Sequence, residues 1–381
     1  MRFSEIIGHQ ETKAKLIQTV LDNRVSHAQL FAGPEGNGAL ALAIAYAQFL
    51  NCTDRLPTDS CGVCANCRKY EKYIHPDLHF SYPFFATQKT DTATTFLETW
   101  RHALLKHPYL SMEDWRAVSE VENKQANINI AEAHDIIKKL SFKAYEAEYK
   151  VLIMWLPEYL DKYGNALLKL IEEPPAKTLF LLISEDSDRI LNTIRSRTQL
   201  VKIRAYSDLE ISQHLRDGQH MDPDRAEEIA LMSEGNMSVA QKLVEEKEGA
   251  FFELMVHWLR YCVTDSGRSL ISYCEDQLVS LGRENQKSFL RYTLQMMRAV
   301  VLEKLGAGTI QPLSPAAQDF VKKFGRNYQI EQIQHMIGLL EQAIYHIERN
   351  SNTKLLFLDL SLQFVLVYKY NTFREKADSI I

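Results

Sequence analysis

Six residues, Gly33-Pro34-Glu35-Gly36-Asn37-Gly38, separate an apolar run (Ala28-Gln29-Leu30-Phe31) from Ala-Leu repeats that begin at Ala39. A strand-like run, a glycine-bracketed turn and a helix form the opening unit of a parallel α/β sheet, and the loop after the first strand is where such folds place a phosphate. The spacing is that of the phosphate-binding motif G-x-x-x-x-G, but the motif continues with Lys and Ser or Thr where this chain has Ala39 and Leu40. Gly36 or Gly38 is expected to take positive φ, which the turn needs whether or not a ligand is present. The preferred reading is a retained turn that has lost its ligand; residual nucleotide binding is the alternative.

The rest of the first half supports a parallel sheet. Ala39–Leu50 has helical apolar spacing, Leu78–Tyr82 is extended, and Lys150–Trp155, Leu179–Ile183 and Gln199–Ile203 are short apolar runs. Between them lie helical stretches at Ala131–Leu140, with Asn129 as N-cap, and at Asn165–Glu172, stopped by Pro174-Pro175. Residues 86–124, polar apart from Trp100, Trp115 and scattered apolar positions, read as a mostly helical insertion. Beyond Tyr206 strand patterns cease. The expected division is an α/β domain at 1–205, a small helical module at 206–249 and an all-helical domain at 250–381.

Four of the six cysteines, Cys52, Cys61, Cys64 and Cys67, are spaced C-x8-C-x2-C-x2-C among turn residues. One tetrahedral zinc could hold all four thiolates, leaving no open coordination position, so the expected role is a structural staple around 52–67. Cys262 and Cys274 stand in apolar helical context and read as core. Lys and Arg number 44 against 49 Asp and Glu, so a net charge of −5 excludes a global electrostatic drive toward nucleic acid. The N-terminal residues lack the pattern of a signal peptide, no apolar run approaches a membrane span, and a cytoplasmic location with no membrane partner is expected.

His27-Ala28-x-Leu30-Phe31-x-Gly33-Pro34, the four cysteines, Asn165-Ala166-Leu167-Leu168-Lys169-x-x-Glu172-Glu173-Pro174-Pro175 and Ile194-x-Ser196-Arg197 occur in the order and spacing of AAA+ clamp-loader subunits, which this chain resembles along nearly its whole length. The likeness returns at Asn350-x-Asn352-x-Lys354-Leu355-x-x-x-x-Leu360, like that family's last collar helix. The resemblance implies an α/β AAA+ domain, a lid and a helical collar, in a hetero-pentameric ring with gamma/tau and delta subunits that loads a sliding clamp onto primed DNA during DNA replication.

Family members carry a Walker lysine and, after the strand at Lys150–Met154, an Asp-Glu pair for magnesium and water; here Ala39 and Leu40, and Trp155-Leu156, stand in those places. Ser238 replaces the lid arginine. The implied subunit is a pseudo-ATPase that does not bind ATP tightly. Ser196-Arg197-Thr198 resembles the family's Ser-Arg-Cys motif, so Arg197 is the expected arginine finger, acting in trans beside Ser196, with Arg195 as a possible second contact. Glu172 and Glu173 read as a solvated helix end, and His27 as a packed structural histidine. The amides at Asn129–Glu132 are a candidate phosphate contact. The alternatives are an ATP-binding gamma/tau-like subunit, which would need the missing lysine and acids, and a zinc-dependent nucleic-acid-binding module, which would need a basic stripe.

Overall fold

The structure, a computed structural model, describes residues 1–121, 124–245, 249–264, 267–306, 313–349 and 351–370. Asn350, residues 246–248 of the expected lid, 122–123 of the insertion and 371–381 of the expected collar lie outside them. Contacts divide the chain into two units, Met1–His214 with Glu234–Gln241, and Leu215–Ser233 with Lys242–Ile381.

In the first unit the elements run α1 (Gln10–Leu21), β1 (Ala28–Ala32), α2 (Ala39–Asn51), α3 (Ala65–Glu71), β2 (Leu78–Ser81), α4 (Leu97–Lys106), α5 (Met112–Val118), α6 (Ile130–Ser141), β3 (Lys150–Trp155), α7 (Leu168–Glu172), β4 (Thr178–Ser184), α8 (Asn192–Arg195) and β5 (Gln199–Lys202). The five strands form one parallel sheet in the order β2-β3-β4-β1-β5. Helices cover both faces, which is why β1, β3 and β4 are almost continuously apolar instead of alternating. On one face α2 is buried along its whole length, its alanines letting backbone approach sheet. On the other, Ile136 and Leu140 of α6 join Leu152, Met154, Phe180 and Leu182 in a core. Asn129 caps α6 as its sequence indicates, Oδ1 accepting from Glu132 N at 2.9 Å.

Three local readings change. The stretch expected to be helical from Asn165 begins earlier, as 3-10 turns over Pro157–Leu167, and becomes α-helical only at α7. His27 is exposed rather than packed; it precedes β1, and its carbonyl accepts from Phe180 N at 2.8 Å. The insertion is helical at α4 and α5 as read, but its tryptophans form a core with the sheet domain: Trp100 and Trp115 are buried to 0% and 1% exposure, Trp100 stacks on Tyr82 at 4.0 Å, and both Trp115 and Trp155 meet its ring at 5.2 Å.

The chain continues through α9 (Asp208–Gln219), α10 (Pro223–Ser233) and α11 (Met237–Glu245), with the division between units falling inside α9 and α11. The second unit holds α12 (Ala250–Thr264), α13 (Arg268–Tyr273), α14 (Arg283–Lys304), α15 (Pro315–Asn327), α16 (Ile330–Glu348) and α17 (Thr353–Tyr370). Its core gathers around Trp258, which stacks on Phe364 at 5.0 Å and donates Nε1–H to Ser361 Oγ at 2.8 Å. Cys262 and Cys274 are fully buried there, as core residues. Among the described residues no helix is long and apolar enough to cross a membrane.

Candidate functional site

The loop between β1 and α2 has the backbone of a phosphate cradle. Gly36 and Gly38 take φ of +70° and +78°, and Gly38 caps α2. Each glycine is also needed for space: a Cβ on Gly33 would lie 1.8 Å from Ile203 O, on Gly36 1.8 Å from Asn236 Oδ1, and on Gly38 2.2 Å from Tyr206 Oη. The turn is tied down by protein groups. Asn37 Nδ2 donates to Ile203 O at 3.1 Å, Asn37 Oδ1 accepts from Ala39 N at 3.0 Å, and His9 Nε2 lies 2.8 Å from Asn37 O.

The space in front of the loop is nearly closed. Pro108, Tyr109 and Leu110 from the insertion, with Ala39, Leu40 and Trp155, leave about 20 Å3 there. That is room for one water, against the roughly 300 Å3 or more of a ligand pocket. Trp155, at the end of β3 where the resemblance implies metal-binding acids, is 2% exposed and packs on Trp100. The acids present have other roles. Glu158 Oε1 accepts from Ser184 Oγ (2.7 Å), Glu185 N (2.8 Å) and Asp186 N (2.9 Å), holding the turn after β4. Burial, then the negative charges of Glu35 and Glu158, push the Glu185 carboxyl up to about 8. Glu35 and Glu158 place negative charge beside a loop that would have to bind polyanions, and Glu185 answers it by keeping its proton near neutral pH.

Arg197 lies at the other end of the sheet. Gln29 pairs with Gln199 and Ala32 with Lys202, so Gly33 is one position beyond the paired stretch and Arg197 two before it. The three paired steps from Gln29 to Ala32 alone separate the two strand ends by about 10 Å, with Gly33 beyond one end and Arg197 beyond the other. Arg197 Nη1 donates to Thr193 O at 3.0 Å, and Nε lies 3.3 Å from Glu172 Oε2. Glu172 is thus more than a solvated helix end: the crossover from α7 brings it to the arginine. Ser196 Oγ donates to Thr193 O at 3.3 Å, and Arg195 is paired with Asp188 at 2.7 Å. Glu173 has no such partner among these pairs. At the start of α6, the Glu132 amide is occupied by Asn129, and the Glu132 side chain is fully buried, accepting from Ala93 N at 2.7 Å.

The four cysteines meet. Their sulfurs all lie within 4.8 Å of one another, with Cys52–Cys61 at 3.5 Å and Cys61–Cys67 at 3.9 Å, and all are free thiols. Sulfurs about 2.3 Å from a shared tetrahedral ion would be separated by about 3.8 Å, so the set fits a metal. Backbone N–H groups of Cys61, Cys64 and Cys67 point at Cys52 Sγ, Cys61 Sγ and Cys64 Sγ at 3.3–3.4 Å. Burial opposes charge on Cys64, yet hydrogen bonds from the Cys67 and Thr53 backbone and the Thr53 and Cys67 side chains outweigh it and bring the thiol down to about 6. The site can hold a thiolate-binding cation.

Sequence reasoning missed Tyr109, Leu110, Asp114, Glu158 and Glu185. Only Asp114 left a signal, the Ser111-x-x-Asp114 capping box that starts α5.

A parallel sheet in this order, with a glycine loop after β1 and a helical C-terminal region, is an AAA+-type α/β fold. The family model described as "DNA polymerase III, delta subunit" matches residues 8–207, just over half of the 381, and the chain belongs to that clamp-loader family. Its relatives include the DNA polymerase III subunit tau/gamma of Haemophilus influenzae, 24% identical over 340 residues (89% of this chain, 41% of the relative). The tau subunit of Escherichia coli is 25% identical over 250 residues, 64% of this chain and 32% of that protein. The subunit delta' of Bacillus subtilis is 25% identical over 294 residues, 76% of each chain. The chain thus spans about a third to two fifths of the length of the tau relatives. A gamma subunit-related protein from Thermotoga maritima aligns over 93% of this chain and 99% of its own, with a TM-score of 0.43 and 11% identity.

Proposed function

We propose that this chain is a non-hydrolysing subunit of a DNA polymerase III clamp loader, of the delta-prime kind. In this reading it sits in a hetero-pentameric ring with gamma/tau and delta subunits, helps place the sliding clamp on primed DNA, and offers Arg197 to the nucleotide of a neighbouring ATPase subunit. Residues 206–249 act as a lid, 250–381 as the collar, and the cysteines hold a structural zinc. The observation that carries it is the pairing of a filled loop at one end of the strands with an exposed arginine at the other end, just ahead of β5, the strand next to β1. The loop itself carries no cation for a triphosphate and is filled in front by Pro108, Tyr109 and Leu110, and Arg197 stands at the other end of the strands from its own loop. A guanidinium placed on a partner's transferring phosphoryl is worth about 10³-fold or more in rate. Glu172 and the Thr193 carbonyl support this role by holding the guanidinium in place while leaving it partly exposed.

Arg197→Ala in the assembled loader is expected to depress clamp-stimulated ATP turnover while assembly stays intact. Unchanged turnover in an intact complex rejects the trans role. The second reading, an ATP-binding gamma/tau-like subunit, is favoured by one feature: an open groove of about 850 Å3 that touches Gly33 and Pro34 and runs past His9, Lys202 and Arg204. Labelled Mg·ATP added to the isolated chain separates the two, since tight retention supports the second alone.

A further inference from the structure

The lid-like turn is closed directly onto the loop by protein groups. Gly36 O accepts from Met237 N at 3.0 Å, and Tyr206 N donates to Gly235 O at 3.2 Å. Asn236 Oδ1 starts α11 by accepting from Ser238 N at 2.9 Å and Val239 N at 3.2 Å. Ser238 Oγ donates to Asp114 Oδ2 at 2.8 Å. Asp114 belongs to the insertion, where the same oxygen accepts from Ser111 N at 3.0 Å, and Ser111 is the residue after the Pro108-Tyr109-Leu110 plug. One short segment therefore fills the loop and holds the turn that folds over it. Nearby, the buried Tyr206 ring meets Tyr109 at 6.1 Å, and its Oη packs so close to Gly38 that a Cβ there would lie 2.2 Å away.

We infer that Pro108–Asp114 is a built-in latch, which keeps the Gly235–Ser238 turn shut on the loop with no nucleotide between them. The segment does for this chain what a bound ligand does for a lid that opens and closes: it supplies the contacts that favour the closed form. Trp155 is part of the same device, because its ring helps anchor the insertion through Trp100. Replacing the metal-site acid and closing the loop are then one structural change. The latch does not depend on Arg197 acting in trans.

The test is amide hydrogen exchange at Met237, Ser238 and Val239 in the full-length protein. Ser238→Ala removes the hydroxyl that reaches Asp114 and leaves the Ser111 cap in place. Exchange at these amides should rise about 5- to 10-fold, the effect of losing one hydrogen bond of roughly 1 kcal/mol. Asp114→Asn keeps a carbonyl oxygen as acceptor and should rise much less; Asp114→Ala should rise at least as much as Ser238→Ala. Saturating Mg·ATP should leave the wild-type rates unchanged, because the turn is already shut. Wild-type rates in Ser238→Ala, or slower exchange of the wild type in Mg·ATP, overturn the latch. ATP turnover with Arg197→Ala reads the proposed function separately, so failure of one is not failure of the other.

Discussion

Replacing Glu185 by Gln tests whether the charge beside the loop is as unfavourable as the geometry implies. The carboxyl moves from an ordinary 4.5 to about 8 in the fold, through burial first and then the charges of Glu35 and Glu158. Between those values the folded chain holds a proton that the unfolded chain has released. The stabilising contribution is therefore fully present below pH ~4.5 and is lost as pH rises toward and through ~8. A shift of this size at ~1.36 kcal/mol per unit sets a ceiling near 5 kcal/mol. The side chain is partly open to water, and screening lowers the expected effect to about 1–2 kcal/mol. Gln is neutral at every pH, so Glu185→Gln should gain on the wild type by that amount between pH 5 and pH 9. Urea unfolding followed by tryptophan fluorescence suits the measurement, since Trp100, Trp115 and Trp155, three of the four tryptophans, lie in the first unit. Parallel loss of stability in the two proteins across that range refutes the electrostatic reasoning.

Other expectations follow from the same contacts. Cys64→Ser should lose one bound metal ion in native mass spectrometry and lower the melting temperature, whereas Cys262→Ser, not a member of the cluster, should keep the ion. Trp155→Ala should cost about 3–5 kcal/mol by opening a cavity against Trp100, and calorimetry should register it in the first unit's transition. Glu172→Ala should change stability by less than about 1 kcal/mol, because its pair with Arg197 is partly solvated, yet lower loader ATP turnover by misplacing the arginine. A large stability loss with normal turnover would reverse the roles given to that pair.

Much of the sheet was legible locally. β1, β3 and β4 are buried on both faces, so their apolar runs stand out, and Asn129 announced α6 because an N-cap acts on an amide three residues away. The cysteine site was legible for the same reason, with three of its members within seven residues. The 3-10 turns before α7 were hidden, since Asn165–Leu167 has the spacing of either helix. Glu172 looked solvated because its partner lies 25 residues on, and His27 looked packed because it adjoins a buried strand. The insertion read as polar because its few large aromatics, spread along the chain, make one cluster only when folded.

Sequence alone decided the side-chain chemistry at the loop: Ala39 and Leu40 offer no cation or hydroxyl and Trp155 no carboxylate, and Gly36 and Gly38 can make the turn without them. What occupies that space was a matter for the tertiary structure, which brings Tyr109 and Leu110 to the loop, Asp114 to Ser238, and leaves Arg197 at the opposite end of the strands. Chemical capacity belongs to a side chain and can be read one residue at a time, whereas occupancy and distance arise from contacts between residues as far apart as Asp114 and Ser238, which no local pattern encodes.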